Sequence, residues 1–187
     1  FDLFLAGISV LAFGVMSMLC TKNHTKEMNK REGYLVVAFG WIVMTMSGTL
    51  PYLFTGAIPD FSNAFFETIS GYTTTGSTIL NDIESLPEGV LFWRSLTHWI
   101  GGMGIIVLAI AILPLLGIGG MQLFAAEAPG PSADKLHPRI TDTAKRLWLI
   151  YFGYTAAETL FLSLAGMSFF DALNHSMSTL STGGFST

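Results

Sequence analysis

The chain has 187 residues, of which 51% are apolar and 12% charged, with a formal net charge of −4. Soluble domains carry about 25% charged residues, and the mean hydropathy here is +0.55, so the composition is that of an integral membrane protein. A single cysteine, Cys20, excludes a disulfide scaffold and a multi-cysteine metal site, and the Lys and Arg residues build no basic stripe of the kind that binds nucleic acid.

Four apolar stretches are long enough to cross roughly 30 Å of hydrocarbon, a span of about 20 helical residues. In chain order they are residues 3–20, 34–55, 91–118 and 147–165. No cleavable signal peptide is visible, and the chain opens on Phe1 inside an apolar run, so it is expected to be an internal segment of a longer protein. The third stretch contains Pro114, which should kink it. Arg94 and His98 near its start place those turns at the interface or against protein.

Charge then orients the path. Lys22, Lys26, Lys30 and Arg31 lie in residues 21–33, and Lys135, Arg139, Lys145 and Arg146 in residues 119–146, so two connections hold all the Lys and Arg except Arg94. Residues 57–93 hold none and carry Asp60, Glu67, Asp82, Glu84 and Glu88 instead. Basic connections stay in the cytoplasm. The parity works only if residues 61–72 and 169–180 re-enter without crossing. At ~18 Å of helix, each is too short to span.

Both short segments end in the same device. Shifting Ser70-Gly71-Tyr72-Thr73-Thr74-Thr75-Gly76-Ser77 by 108 positions lays it, with no gap, on Ser178-Thr179-Leu180-Ser181-Thr182-Gly183-Gly184-Phe185. A short helix that dips into a membrane and ends in Thr/Gly backbone can line an ion path with carbonyl oxygens. Glycine permits the dihedrals that aim them. Such backbone is tolerated in a membrane only when buried in protein or facing water, so the two segments should share an aqueous pathway. The expected fold is an all-α membrane protein of helix–pore loop–helix repeats. A leading helix and cytoplasmic loop (1–33) precede one complete unit (34–118), a cytoplasmic linker (119–146) and the start of a second unit (147–187). The filter segments are Thr74, Thr75, Gly76 and Ser77, and Thr182, Gly183, Gly184 and Phe185. Carbonyls of Thr74, Thr75, Gly76, Thr182, Gly183 and Gly184 would hold the ion.

A lone Thr/Gly run reads equally well as a helix C-cap and turn; its recurrence in the same topological slot favours the filter. Gly71, outside the ring, is expected to tolerate a serine. Gly101, Gly102 and Gly104 are followed by no lysine that would make a phosphate loop, and close helix packing accounts for them. Arg94 is expected to pair with an acid of the outer segments, Glu67 first, and so to brace the pore helix. His98 reads as a hydrogen-bonded histidine in preference to a proton site. Glu158, mid-helix, must be protonated, paired or facing water, and the residues leave these alternatives open. Asp60 and Asp171 read as caps of the short helices. Met44, Met46, Met103 and Met121 lack the clustering of a soft-metal site and read as packing or lipid-facing side chains.

Taken together, the motifs resemble the Trk/Ktr/HKT superfamily of potassium uptake proteins, above all its bacterial TrkH branch. They are Thr73-Thr74-Thr75-Gly76-Ser77, the run from Phe92-Trp93-Arg94 through His98 to Gly101-Gly102-Met103-Gly104, Gly119-Gly120-Met121-Gln122-Leu123-Phe124 with Glu127-Ala128-Pro129-Gly130-Pro131, and Ser181-Thr182-Gly183-Gly184-Phe185. The resemblance covers essentially the whole chain. It implies four such units around one pore with one glycine of each at the selectivity ring, positions that Gly76 and Gly184 match. It further implies K+ uptake across the bacterial inner membrane, with the coupling ion (H+, Na+ or none) left open. No covalently bound cofactor is implied; the partners are lipid, a second copy in a homodimer and a cytosolic TrkA-type nucleotide-binding ring. Neither filter has a Thr-Val-Gly-Tyr-Gly run, so K+/Na+ discrimination should be looser than in a potassium channel. A sodium-permeable or sodium-coupled relative is the alternative, against which glycine at both ring positions argues by analogy. The chain has no Gly-x-Ser-Gly, Gly-x-Gly-Asp or His-Glu-x-x-His segment, so it does not read as an enzyme. A membrane scaffold without transport would be told apart by flux.

Overall fold

The computed structural model describes residues 2–21, 30–116 and 136–187. Among them there are six helices and no strand: α1 (Asp2–Thr21), α2 (Lys30–Thr55), α3 (Phe61–Tyr72), α4 (Glu88–Leu116), α5 (Leu136–Leu164) and α6 (Phe169–Leu180). Helices are the economical answer to hydrocarbon, because each satisfies its own backbone without water. Three of them, α1, α2 and α5, hold windows long and apolar enough to cross a membrane. α4 has 29 residues, or ~44 Å at 1.5 Å per residue. α3 and α6 have 12 residues each and occupy the two stretches too short to cross.

The helices outrun the apolar windows that mark them. α2 begins at Lys30 and α5 at Leu136, so residues 136–146 are helix where a connection was expected. A hydropathy window marks only the part of a helix in lipid, while backbone hydrogen bonding continues beyond it. Pro138 lies in the first turn of α5, where a missing N–H costs nothing. The helix of α4 runs on through Pro114 to Leu116. Residues 119–135 of the expected linker, with Met121 and the Gly119–Pro131 motifs, lie outside the described residues, as do 22–29.

The surface is apolar and the interior is rich in hydroxyls. Phe4, Leu11, Met18, Phe39, Leu149, Phe161 and Leu164 are each more than 60% exposed, an arrangement that suits lipid and further helices but not water. Inside, Thr49, Thr68, Thr155, Thr159 and Ser176 are buried, each hydroxyl donating to the carbonyl one turn back at 2.7–2.9 Å. Such small polar residues let membrane helices approach closely. α4 is the central element. It packs on α2, α3, α5 and α6, pinned by Trp93 Nε1 donating to the Gly48 carbonyl at 3.0 Å and Trp99 Nε1 to Thr155 Oγ1 at 2.9 Å. A small apolar core of Tyr52, Ile58, Ala64 and Val90 closes the end where α2, α3 and α4 meet, with Ile79, Leu80 and Leu86 folded onto it. Met103 is buried in the bundle and Met46 is exposed on its surface.

Candidate functional site

The C-terminal ends of α3 and α6 have the same backbone. The N–H groups of Thr73, Thr74 and Thr75 donate to the carbonyls of Ile69, Gly71 and Ser70; those of Ser181, Thr182 and Gly183 donate to Met177, Thr179 and Ser178, each bond 108 residues on from its counterpart. The crossed 6→1 and 5→2 bonds are a Schellman cap. A cap of this kind needs a left-handed residue, which is usually glycine, yet here Thr74 (φ 55°) and Thr182 (φ 56°) take that place. Two residues later Gly76 (φ 74°) and Gly184 (φ 89°) are left-handed again. A β-branched residue at positive φ is strained, and the strain recurs at equivalent positions. Two left-handed residues so close together break the strict up-and-down alternation of extended backbone, so peptide oxygens need not point to opposite sides.

The two segments lie edge to edge. A Cβ built on Gly76 would collide with the Gly183 carbonyl oxygen and lie 3.1 Å from its carbon. α4 is the wall behind both. Gly101 abuts the Tyr72 carbonyl, Gly102 would place a Cβ 2.9 Å from Ser181 Cα, and Gly183 packs against the ring of His98. The run Gly101-Gly102 therefore serves close approach to the ends of both short helices, while among the described residues a Cβ on Gly104 would meet only Trp41, at 3.9 Å. Gly71 departs from expectation: a Cβ there would crowd Thr97 Oγ1 and lie 3.0 Å from Thr97 Cβ, so a serine is not tolerated freely. Nothing in the local spacing reveals this contact, which joins residues 26 positions apart.

Arg94 and Glu67 come together at the centre. Their side chains are 1% and 0% exposed, with Arg94 Nε donating to Glu67 Oε1 at 2.9 Å. Glu67 also accepts from Thr78 Oγ1 at 2.8 and 3.0 Å and from the Ile79 N–H at 3.1 Å. The guanidinium reaches further, donating from Nη1 to the Ser186 carbonyl at 3.2 Å and from Nη2 to Thr78 Oγ1 at 3.3 Å. Its carbon lies 4.1 Å from the centroid of Phe185, which stacks on His98 at 3.9 Å and 15°. One side chain of α4 thus ties the backbone leaving the first segment to the backbone leaving the second. Ser70 Oγ secures the first further by donating to the Ser77 carbonyl at 2.6 Å. A cavity of about 320 Å³ opens beside the second segment, bounded by Ser178, Thr182, Gly184 and Phe185 among others.

The sequence profile of the TrkH family, described as cation transport proteins, matches residues 1–187. The chain belongs to the TrkH family. Relatives include the Trk system potassium uptake protein TrkH of Escherichia coli, 51% identical over 95% of this chain and 37% of that protein. TrkH of Vibrio parahaemolyticus is 49% identical over 98% of this chain and 39% of its own length, and TrkG of E. coli is 41% identical over 100% and 39%. The crystal structure of the potassium transporter TrkH from V. parahaemolyticus superposes with a TM-score of 0.83 at 41% identity, covering 98% of this chain and 36% of that one. This TrkH-family chain therefore spans under two-fifths of the length of these relatives, 37% of the E. coli protein.

The helix starts in this TrkH-family chain differ from each other. Asp60 caps α3, its Oδ1 accepting from the Asn63 N–H at 2.9 Å. Asp171 does not cap α6: Ser168 is the N-cap, accepting from the Asp171 N–H at 3.1 Å. Asp171 instead sits at the third helical position, accepting from Ser168 Oγ at 2.6 Å and Thr187 Oγ1 at 2.8 Å, and these two bonds hold its carboxyl below the usual carboxylate range. The Ser-x-x-acid spacing of a capping box carried that signal. Glu158 is half-buried on α5.

Proposed function

We propose that the protein containing this chain takes up potassium across the bacterial inner membrane, the carbonyls of Thr74, Thr75, Gly76, Thr182, Gly183 and Gly184 forming two quarters of the filter. The observation that carries this is the duplicated helix end, with left-handed residues at equivalent positions and the two segments in contact. Carbonyls replace the water of a dehydrating cation without a charged side chain. Arg94 and Glu67 act as the brace between pore helices, and no bond-making chemistry or bound cofactor is needed. The test is Rb+ and Na+ uptake by the purified full-length protein in liposomes. Selective Rb+ uptake is expected; equal or preferred Na+ uptake would assign a sodium-permeable relative, and no flux would assign a scaffold.

Membrane orientation follows from the Lys/Arg asymmetry. In a Cys20→Ser background, Lys26→Cys and Lys135→Cys should react with impermeant thiol reagents only from the cytoplasm, and Glu84→Cys only from outside. Labelling of Lys135→Cys from outside would overturn the path. Residues 119–146, rich in Gly and Pro and mixed in charge, contribute to docking of a TrkA-type nucleotide-binding ring, and the whole protein works as a homodimer in lipid. Deleting residues 129–134 should weaken co-purification with that ring, and retention of both the complex and its nucleotide response would dismiss the docking role.

A further inference from the structure

We propose that His98, on the long helix of the first unit, is a positioning residue for the filter of the second, its imidazole standing where residue 183 would otherwise carry a side chain. The proposal rests on the filter reading above and adds to it a determinant outside the Thr/Gly segments.

The 108-residue register pairs Thr73 with Ser181, Thr74 with Thr182, Thr75 with Gly183, Gly76 with Gly184 and Ser77 with Phe185. Three of these pairs keep their chemistry. The other two, Thr75/Gly183 and Ser77/Phe185, do not, and in both the second-unit residue touches His98. Gly183 is not left-handed, so its backbone does not demand glycine; space does. A Cβ there would lie 2.5 Å from Cε1 and 2.6 Å from Cγ of the His98 ring, and closer still to Nδ1. Phe185 lies flat on the same ring at 3.9 Å.

The ring is enclosed and held on both sides. His98 is 0% exposed, its Nδ1 is 3.3 Å from Ser178 Oγ, and the phenyl ring that covers it is itself held against Arg94. In front of the same peptide stands Gly76, whose Cα faces the Gly183 carbonyl. The Gly183 peptide is therefore clamped between an imidazole and the neighbouring filter. Loss of volume at residue 98, or gain at residue 183, should move the carbonyl at the junction of the two filters. Its site of action is 85 residues away in sequence, in another unit.

The test is a mutant cycle in the full-length protein, reading Rb+/Na+ selectivity in liposomes and thermal stability in detergent. Gly183→Ala is expected to lower selectivity roughly tenfold, equivalent to ~1.4 kcal/mol. In a His98→Ala background the same change should stay within about twofold of the single His98→Ala variant, the spread of independent effects. His98→Asn, which keeps a nitrogen near Ser178, should lie closer to wild type than His98→Ala does. Equal damage by Gly183→Ala in both backgrounds, or none in either, would overturn the proposal. If Gly183→Ala alone does not yield monodisperse protein, its recovery in the double variant supports the interlock and its continued failure overturns it. Absence of Rb+ uptake by wild type would defeat the potassium reading instead, and stability across the cycle would still report the interlock.

Discussion

Gly76→Ser in the full-length protein is expected to cut K+ selectivity or Rb+ affinity by tenfold or more, on the scale of ~1.4 kcal/mol per decade. Two costs combine there. A non-glycine residue at φ 74° is strained by about 1–2 kcal/mol. The added Cβ also collides with backbone, the Gly183 carbonyl, where overpacking costs about 1–3 kcal/mol. Gly184→Ser should act in the same direction, because its φ is 89°, but less, because no described atom lies within 4 Å of the Cβ. The control is Gly153→Ser, at a glycine with open space and ordinary φ; Gly71→Ser will not serve, because it strikes Thr97. Rb+ and Na+ uptake in liposomes, with size-exclusion profiles to verify folding, gives the answer. A wild-type selectivity ratio in both ring variants would remove the filter assignment.

What the chain discloses in one dimension is what depends on local length and type. The two 12-residue helices follow from stretches too short to cross and from a repeat in register, and Gly76 and Gly184 announce their dihedrals by being glycine. Arg94 and Glu67 could be paired on paper because residues 57–93 offer no cation, and an ionised group inside the membrane needs a partner. Thr74 and Thr182 stay hidden, since a β-branched residue gives no sign that a Schellman cap will force it left-handed. The wall formed by α4 is equally silent. Gly101 against Tyr72, Gly102 against Ser181 and His98 against Gly183 are contacts between residues 29 to 85 positions apart, set by how helices pack. Asp171 reads as a cap from sequence because an acid near a helix start suits several positions, whereas the structure gives the N-cap to Ser168.

Arg94→Met should destabilise the full-length protein by about 3–5 kcal/mol, the cost of leaving a buried charge without its partner. The argument does not depend on the ion pair being worth much in itself, since desolvation of two buried charges offsets most of their attraction. It depends on what remains. Glu67, 0% exposed, would keep only the Thr78 hydroxyl and the Ile79 N–H. Glu67→Gln alone should be damaging for the reciprocal reason, and Glu67→Gln/Arg94→Met less damaging than the sum of the two, by about 0.5–3 kcal/mol of coupling. If the filter reading holds, selectivity should fall in Arg94→Met as well, because the guanidinium also holds the Ser186 carbonyl and the Phe185 ring at the end of the second Thr/Gly segment. The double variant should therefore recover stability without recovering selectivity, since methionine replaces neither contact. Detergent melting curves and Rb+/Na+ uptake separate the two roles. Recovery of both together would reduce Arg94 to the partner of Glu67, and a wild-type melting point in Arg94→Met would dissolve the brace altogether.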